Sequence, residues 1–140
     1  MESMFNPLKS MQKFLYSIAF IWLSITLPIS AADKVALVIG NSSYSYAPLK
    51  NPVNDATDMA TALRGCGFTL VGNQAWLNQT HEQMDALLLR FREEAKNANV
   101  VLLFYAGHGM GAFGTNYLIP VDAEVEEEYQ IKHRTVSLDE

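Results

Sequence analysis

Three side chains in this sequence stand where chemistry could be done, and their spacing sorts them. His108 sits alone between two glycines in Ala106-Gly-His-Gly109, Asp55 lies in Val53-Asn-Asp-Ala56, and Cys66 is the only cysteine. A histidine flanked by glycines has open space on both sides, so a substrate can approach an imidazole that moves protons near neutral pH. The backbone N–H of Gly109 beside it could donate to a developing oxyanion, as acyl transfer requires. A purely structural histidine in a turn is the competing reading, and the local sequence does not choose between them. A thiol serving as nucleophile to this base would have to meet it at about 3 Å.

The elements around these residues decide which of them can meet. Val100-Val-Leu-Leu-Phe-Tyr-Ala106 is a short unbroken apolar run, as expected of a central parallel strand covered on both faces, and it delivers His108 at its carboxyl end. Lys34 to Asn41 is a second such run and ends in a turn. A helix follows, with Asn51 as N-cap, Pro52 at its first position, a buried face of Val53, Ala56, Ala60 and Leu63, and Gly65 and Gly67 as its left-handed close. Phe68 to Val71 reads as a short strand, and Gly72 to Asn78 as a loop that packs Trp76 and Leu77 onto the sheet. Thr80 and Gln83 form a capping box for a second helix, whose stripe of Met84, Leu87, Leu88, Phe91 and Ala95 is core.

Strands alternating with helices imply βαβ units and a mostly parallel sheet in a three-layer α/β/α, Rossmann-like arrangement. Functional groups then gather at the carboxyl ends of the strands. His108 and Asp55 fall at that edge. Cys66, between the first helix and the following strand, falls at the opposite edge, about 17 Å away, the length of a strand. It reads as a small buried apolar residue.

Beyond Gly109 the pattern changes. Met110 to Asn116 reads as a glycine loop and Tyr117 to Val121 as a short extended piece that Pro120 restricts to an edge. Gly109-Met-Gly-Ala-Phe-Gly114 fits the dinucleotide fingerprint in spelling only, because no helix pattern follows it. His81 and His133 are expected in solvent, and the histidines lack metal-ligand spacing. The acidic run Glu124 to Glu128 lacks the Gly and Asp turns of a calcium loop, so no cofactor is expected and calcium has no clear site. Asn41 and Asn78 begin Asn-x-Ser/Thr sequons, which matter only on a eukaryotic secretory route. Ser137-Leu-Asp-Glu140 has the form of a helix start, so the expected fold is incomplete at the C-terminus and the chain is expected to be truncated.

Fifteen acidic against ten basic residues give a formal net charge of −5, which argues against a nucleic-acid surface. Residues 1–32 read as a signal peptide: Lys9 and Lys13 precede the apolar stretch Phe14 to Ile29, and Ser30-Ala-Ala32 offers a cleavage site after Ala32. An uncleaved anchor is the rival, but the stretch is shorter than the roughly 20 residues a spanning helix needs. Met11 is an alternative start. The expected location is therefore periplasmic or extracellular, with membrane contact only through the signal peptide. Residues 33–140 form one domain, without a disulfide framework.

Five blocks resemble a known family: Lys34-Val-Ala-Leu-Val-Ile-Gly-Asn41, Leu49-Lys-Asn-Pro-Val-Asn-Asp-Ala56, Leu63 to Phe68, Leu103-Phe-Tyr-Ala-Gly-His-Gly109 and Asn116-Tyr-Leu-Ile-Pro-Val-Asp122. In order and spacing they resemble the p20 part of a caspase-like (peptidase C14) domain of the bacterial metacaspase or orthocaspase type. The resemblance implies a caspase-hemoglobinase fold and a Cys-His dyad endopeptidase acting on peptide or protein substrates. It implies that His108 is the catalytic histidine, that Gly109 N–H contributes to the oxyanion hole, and that Asp55 helps line a pocket for a basic P1 side chain. A first-turn aspartate favouring the helix dipole is the other reading of Asp55. The family's nucleophilic cysteine follows the next strand, which this chain does not include. The chain as given is thus expected to be inactive, with a non-catalytic binding module as the alternative function.

Overall fold

The strand Lys34–Gly40, here β1, is the centre of the molecule. The computed structural model describes residues 33–125 and 127–138, and the signal peptide read over residues 1–32 lies outside them. After β1 come α1 (Pro52–Gly65), β2 (Thr69–Leu70), a 3-10 turn at Val71–Asn73, β3 (Trp76–Leu77), α2 (His81–Ala95) and β4 (Val100–Ala106). The remainder is β5 (Gly109–Ala112), β6 (Thr115–Leu118), a 3-10 turn at Glu128–Gln130, α3 (Ile131–Arg134) and β7 (Val136–Ser137).

β1 is parallel to all three of its partners. β4 runs along its whole length, from Lys34↔Val100 to Gly40↔Ala106, while β2 pairs at Val35 and Ala36 and β3 at Ile39 and Gly40 on the other side. The strand period of two then divides its side chains between two helices. Ala36 and Val38 pack with Ala56, Ala60 and Leu63 of α1, whereas Val35, Leu37 and Ile39 pack with Leu87 of α2. This is the expected α/β fold, a parallel sheet flanked by helices. Leu37 and Ile39 are fully buried, and each such side chain contributes about 1.5–3 kcal/mol on leaving water.

The helix ends follow local chemistry, with one difference. Asn51 takes helical dihedrals and makes no side-chain cap; the hydroxyl of Ser42 instead accepts from Val53 N–H at 3.3 Å. The C-terminal close belongs to Gly67 alone, at φ 81°, while Gly65 stays helical. Gly67 N–H donates to Arg64 and Phe68 N–H to Leu63, a Schellman close with Phe68 packed toward the cluster that holds Leu63. The Thr80–Gln83 capping box of α2 forms as expected, and Met84 and Leu87 are buried on its stripe.

Five other expectations are corrected. β4 is not central: its second edge pairs with no strand among the described residues, and Val100 and Val101 are 41% and 49% exposed. The apolar run was right for a strand, but composition does not reveal how many neighbours a strand has. Met110 to Asn116 is not a loop but a tight β5–β6 hairpin, turned by Phe113 and Gly114 at φ 54° and 79°. Two successive positive φ values match the right-handed twist of a hairpin, and Phe at the first of them hid the turn. Residues 115–118 form the middle strand of a second, antiparallel sheet, β5-β6-β7, rather than an edge piece. Ser137 lies in β7, not at a helix start. Trp76 packs inward with its indole N–H on Val71 C=O at 2.9 Å, but Leu77, the next residue along the strand, points out and is 36% exposed.

Candidate functional site

The carboxyl ends of β1 and β4 are tied together before any side chain is considered: Asn41 N–H donates to Ala106 C=O at 2.8 Å and extends the register by one bond. Asn41, fully buried, then holds three segments. Its Oδ1 accepts from Gln79 N–H at 2.8 Å, and its Nδ2 faces the carbonyls of Gln79 and Ile119 at 3.4 and 3.3 Å. Asn78, at φ 55°, presents Oδ1 to the N–H groups of Ser42 and Ser43 at 2.9 and 3.0 Å and shapes the start of the β1–α1 loop. Both sequon asparagines are thereby engaged within the fold, and Asn41 is inaccessible.

His108 is half-buried on this platform. Its Nε2 lies 2.7 Å from Ala47 C=O. A carbonyl only accepts, so Nε2 carries the proton and Nδ1 is left as the proton acceptor. The ring packs on Tyr44, centroids 4.5 Å apart and tilted by 57°. The backbone around it is held as firmly: His108 N–H donates to the Tyr44 hydroxyl at 2.9 Å, and His108 C=O accepts from Ile119 N–H at 3.0 Å. Gly109 pairs with Leu118 next to that bonded position. In an antiparallel ladder bonded and non-bonded pairs alternate, so the Gly109 N–H turns away from β6.

Tyr105 completes the floor. Its hydroxyl lies 2.8 Å from Ile119 C=O, 3.0 Å from His108 C=O and 3.0 Å from the Tyr44 hydroxyl. Burial, reinforced by the Tyr44 hydroxyl, pushes its ionisation far above the ordinary phenol range, so it remains a neutral donor.

Asp55 lies in the first turn of α1, exposed, at the same sheet edge as His108; among the described bonds its own N–H donates to Asn51 C=O. Gly40 allows α1 to start so close: a Cβ there would stand 2.5 Å from Pro52 C=O and 2.6 Å from the Ala56 Cβ. Cys66 lies at the other edge, where Lys34 Nζ, at the first residue of β1, donates to Cys66 C=O at 3.2 Å. A seven-residue strand at about 3.3 Å per residue separates that end from His108. The expectation that Cys66 is buried is corrected: it caps α1 and is exposed. His133 is exposed, and His81 lies 3.5 Å from Asp85 with its backbone N–H on Asp122. Among the described residues no three His, Cys, Asp or Glu side chains gather as metal ligands. A groove of about 940 Å³ between α2 and the strands β4, β6 and β7 is lined by none of His108, Gly109 or Asp55.

The arrangement can therefore hold one half-buried imidazole as a proton acceptor beside a backbone N–H turned away from β6. Tyr44, Ala47, Asn41, Asn78 and Tyr105 all hold it in place, and none was singled out from sequence for that role, Asn41 and Asn78 having been noted only as sequons. Tyr44 and Ala47 lie in an aperiodic loop whose only link to His108 is spatial. Asn41 did carry a signal, a polar residue directly continuing a fully apolar strand.

Comparison with known proteins agrees with the fold. A family model described as the caspase domain matches residues 33–139. The chain is 38% identical over 94 residues to the human mucosa-associated lymphoid tissue lymphoma translocation protein 1, and 39% identical over 94 residues to its mouse homolog. It is 30% identical over 102 residues to a paracaspase of Dictyostelium discoideum. The matches cover 66% of this chain for the first two and 69% for the third, but only 11% and 25% of those longer proteins. With the family model spanning all of the described residues, the chain belongs to the caspase domain family.

Proposed function

We propose that this chain is the histidine-bearing portion of an exported caspase-type cysteine endopeptidase, with His108 as general base and acid. The observation that carries the reading is the His108 Nε2–Ala47 C=O contact of 2.7 Å, which leaves Nδ1 as the ring's proton acceptor. In this mechanism Nδ1 takes the proton of a thiol, the thiolate adds to the scissile carbonyl, and the oxyanion accepts from Gly109 N–H. The imidazolium then protonates the departing amine, and water releases the acyl group. Asp55 at the same edge supplies a carboxylate suited to an Arg or Lys P1 side chain. The relatives named above include a paracaspase, whereas the sequence blocks resemble the metacaspase or orthocaspase type; both sit within the same family.

The thiol is not Cys66, which stands at the wrong end of β1. It must come from polypeptide other than the 140 residues, so the chain by itself is expected to cleave nothing. The placement of Cys66 equally favours a second reading, a non-catalytic caspase-like module that binds peptides without cutting them. Assays with fluorogenic peptides carrying Arg or Asp at P1, on the product of the complete reading frame and on the 140-residue chain, distinguish the two. Cleavage after Arg by the former only supports the endopeptidase; peptide binding without cleavage by either supports the module.

A further inference from the structure

We propose that Tyr44 is a positioning residue for His108, its ring backing the imidazole and its hydroxyl gripping the backbone that carries it. This inference rests on the endopeptidase reading for its catalytic meaning but not for its geometry. Two independent contacts reach the same residue: the tilted ring pair at 4.5 Å and the His108 N–H donating to the hydroxyl at 2.9 Å. The His108 peptide is thus bonded on both sides, by Tyr44 at its nitrogen and by Ile119 N–H and the Tyr105 hydroxyl at its oxygen. Each phenol has one proton. If Tyr44 donates to Tyr105, then Tyr105 donates to Ile119 or His108, and the short contacts are satisfied in sequence rather than all at once.

Gly107 shows that this cluster shapes the turn. A Cβ at that position would lie 2.5 Å from the Tyr105 hydroxyl and 2.6 Å from that of Tyr44, closer than real Cβ atoms come. The glycine before the histidine is therefore required by the tyrosine pair below it, not by a positive φ, which it does not have. With ring and backbone both fixed, the imidazole has one direction left, its Nε2–H to Ala47 C=O. Losing the ring contact lets the imidazole turn and the two tautomers mix, while losing the hydroxyl contact alone loosens the backbone that carries it.

The test is nitrogen-15 NMR of the full chain, with His108 assigned by the signal lost in His108→Gln. Wild type is expected as the Nε2–H tautomer, with cross-relaxation between the Tyr44 ring and the His108 ring and a slowly exchanging His108 amide. Tyr44→Phe keeps the ring contact and the tautomer but speeds amide exchange; Tyr44→Leu brings the tautomers to near parity. Should Tyr44→Leu not fold, the wild-type spectrum decides, because absence of both the ring contact and amide protection overturns the proposal. An unchanged tautomer in a folded Tyr44→Leu overturns it as well. In the product of the complete reading frame, Tyr44→Phe is expected to lower kcat by up to about tenfold, the scale of one lost hydrogen bond, with KM unchanged. If no peptidase activity exists but the tautomer responds, the endopeptidase reading fails and the positioning stands; activity that depends on His108 with an indifferent Tyr44 gives the reverse.

Discussion

β1 and β4 are both apolar seven-residue strands, bonded to each other in parallel register along their whole length. Yet from Val35 onward β1 is buried, whereas every residue of β4 keeps some exposure. The difference lies at the edges: side chains of both strands pack with the clusters of α1 and α2, but β1 has strands on both edges, while among the described residues β4 pairs with β1 alone. Burial goes with scaffolding, and partial exposure with presenting a group. β1 fixes where the sheet ends, and β4 carries His108 past that end to a half-buried position.

Register partners allow this contrast to be broken at a single step. Leu37 and Leu103 face each other across the two strands. Leu37→Ala is expected to cost about 2–5 kcal/mol in denaturant unfolding, as for a fully buried leucine, and Leu103→Ala distinctly less. Equal losses would mean that β4 is as much a core strand as β1. At the end of β4, Gly107→Ala should cost about 1–3 kcal/mol through overpacking against the two tyrosine hydroxyls. It should also disturb the His108 NMR signals, whereas a substitution at Gly65, where a Cβ meets nothing, leaves them unchanged.

A smaller effect concerns pH. The Tyr105 phenol ionises less readily folded than unfolded, so its contribution is complete below the unfolded value of about 10. Above that pH the unfolded chain releases the proton while the folded one retains it, and stability falls as pH rises. Unfolding measured from pH 8 to 11 should show this decline, and Tyr105→Phe should flatten it. Smallest of all is Val101→Lys on the exposed side of β4, expected within about 0.5 kcal/mol of wild type. Its visible effect should be reduced self-association in light scattering, since charge on an open strand edge discourages pairing. A large stability loss would show the edge to be less open than its exposure suggests.

The parallel sheet and its helices were legible because they depend on local pattern: two apolar runs, a Thr-Gln capping box, a proline start and a glycine close. The placement of His108 and Asp55 at one edge and Cys66 at the other followed from that order alone. What remained hidden depends on contacts distant in sequence or on conformation that contradicts propensity. The hairpin turns on a phenylalanine at positive φ, a conformation that residue type does not suggest. Ala47 serves His108 through a carbonyl every residue has, and Tyr44 reaches it across 64 residues. The exposure of β4 was hidden because an apolar run looks the same with one neighbour or two.

The central claim is that His108 is the base that activates a thiol at this sheet edge. Labelling the product of the complete reading frame with an acyloxymethyl ketone peptide ending in arginine tests it directly. The account predicts covalent labelling of wild type, unaffected by Cys66→Ser and lost in a folded His108→Ala. Labelling that survives His108→Ala, or that is carried by Cys66, would contradict it.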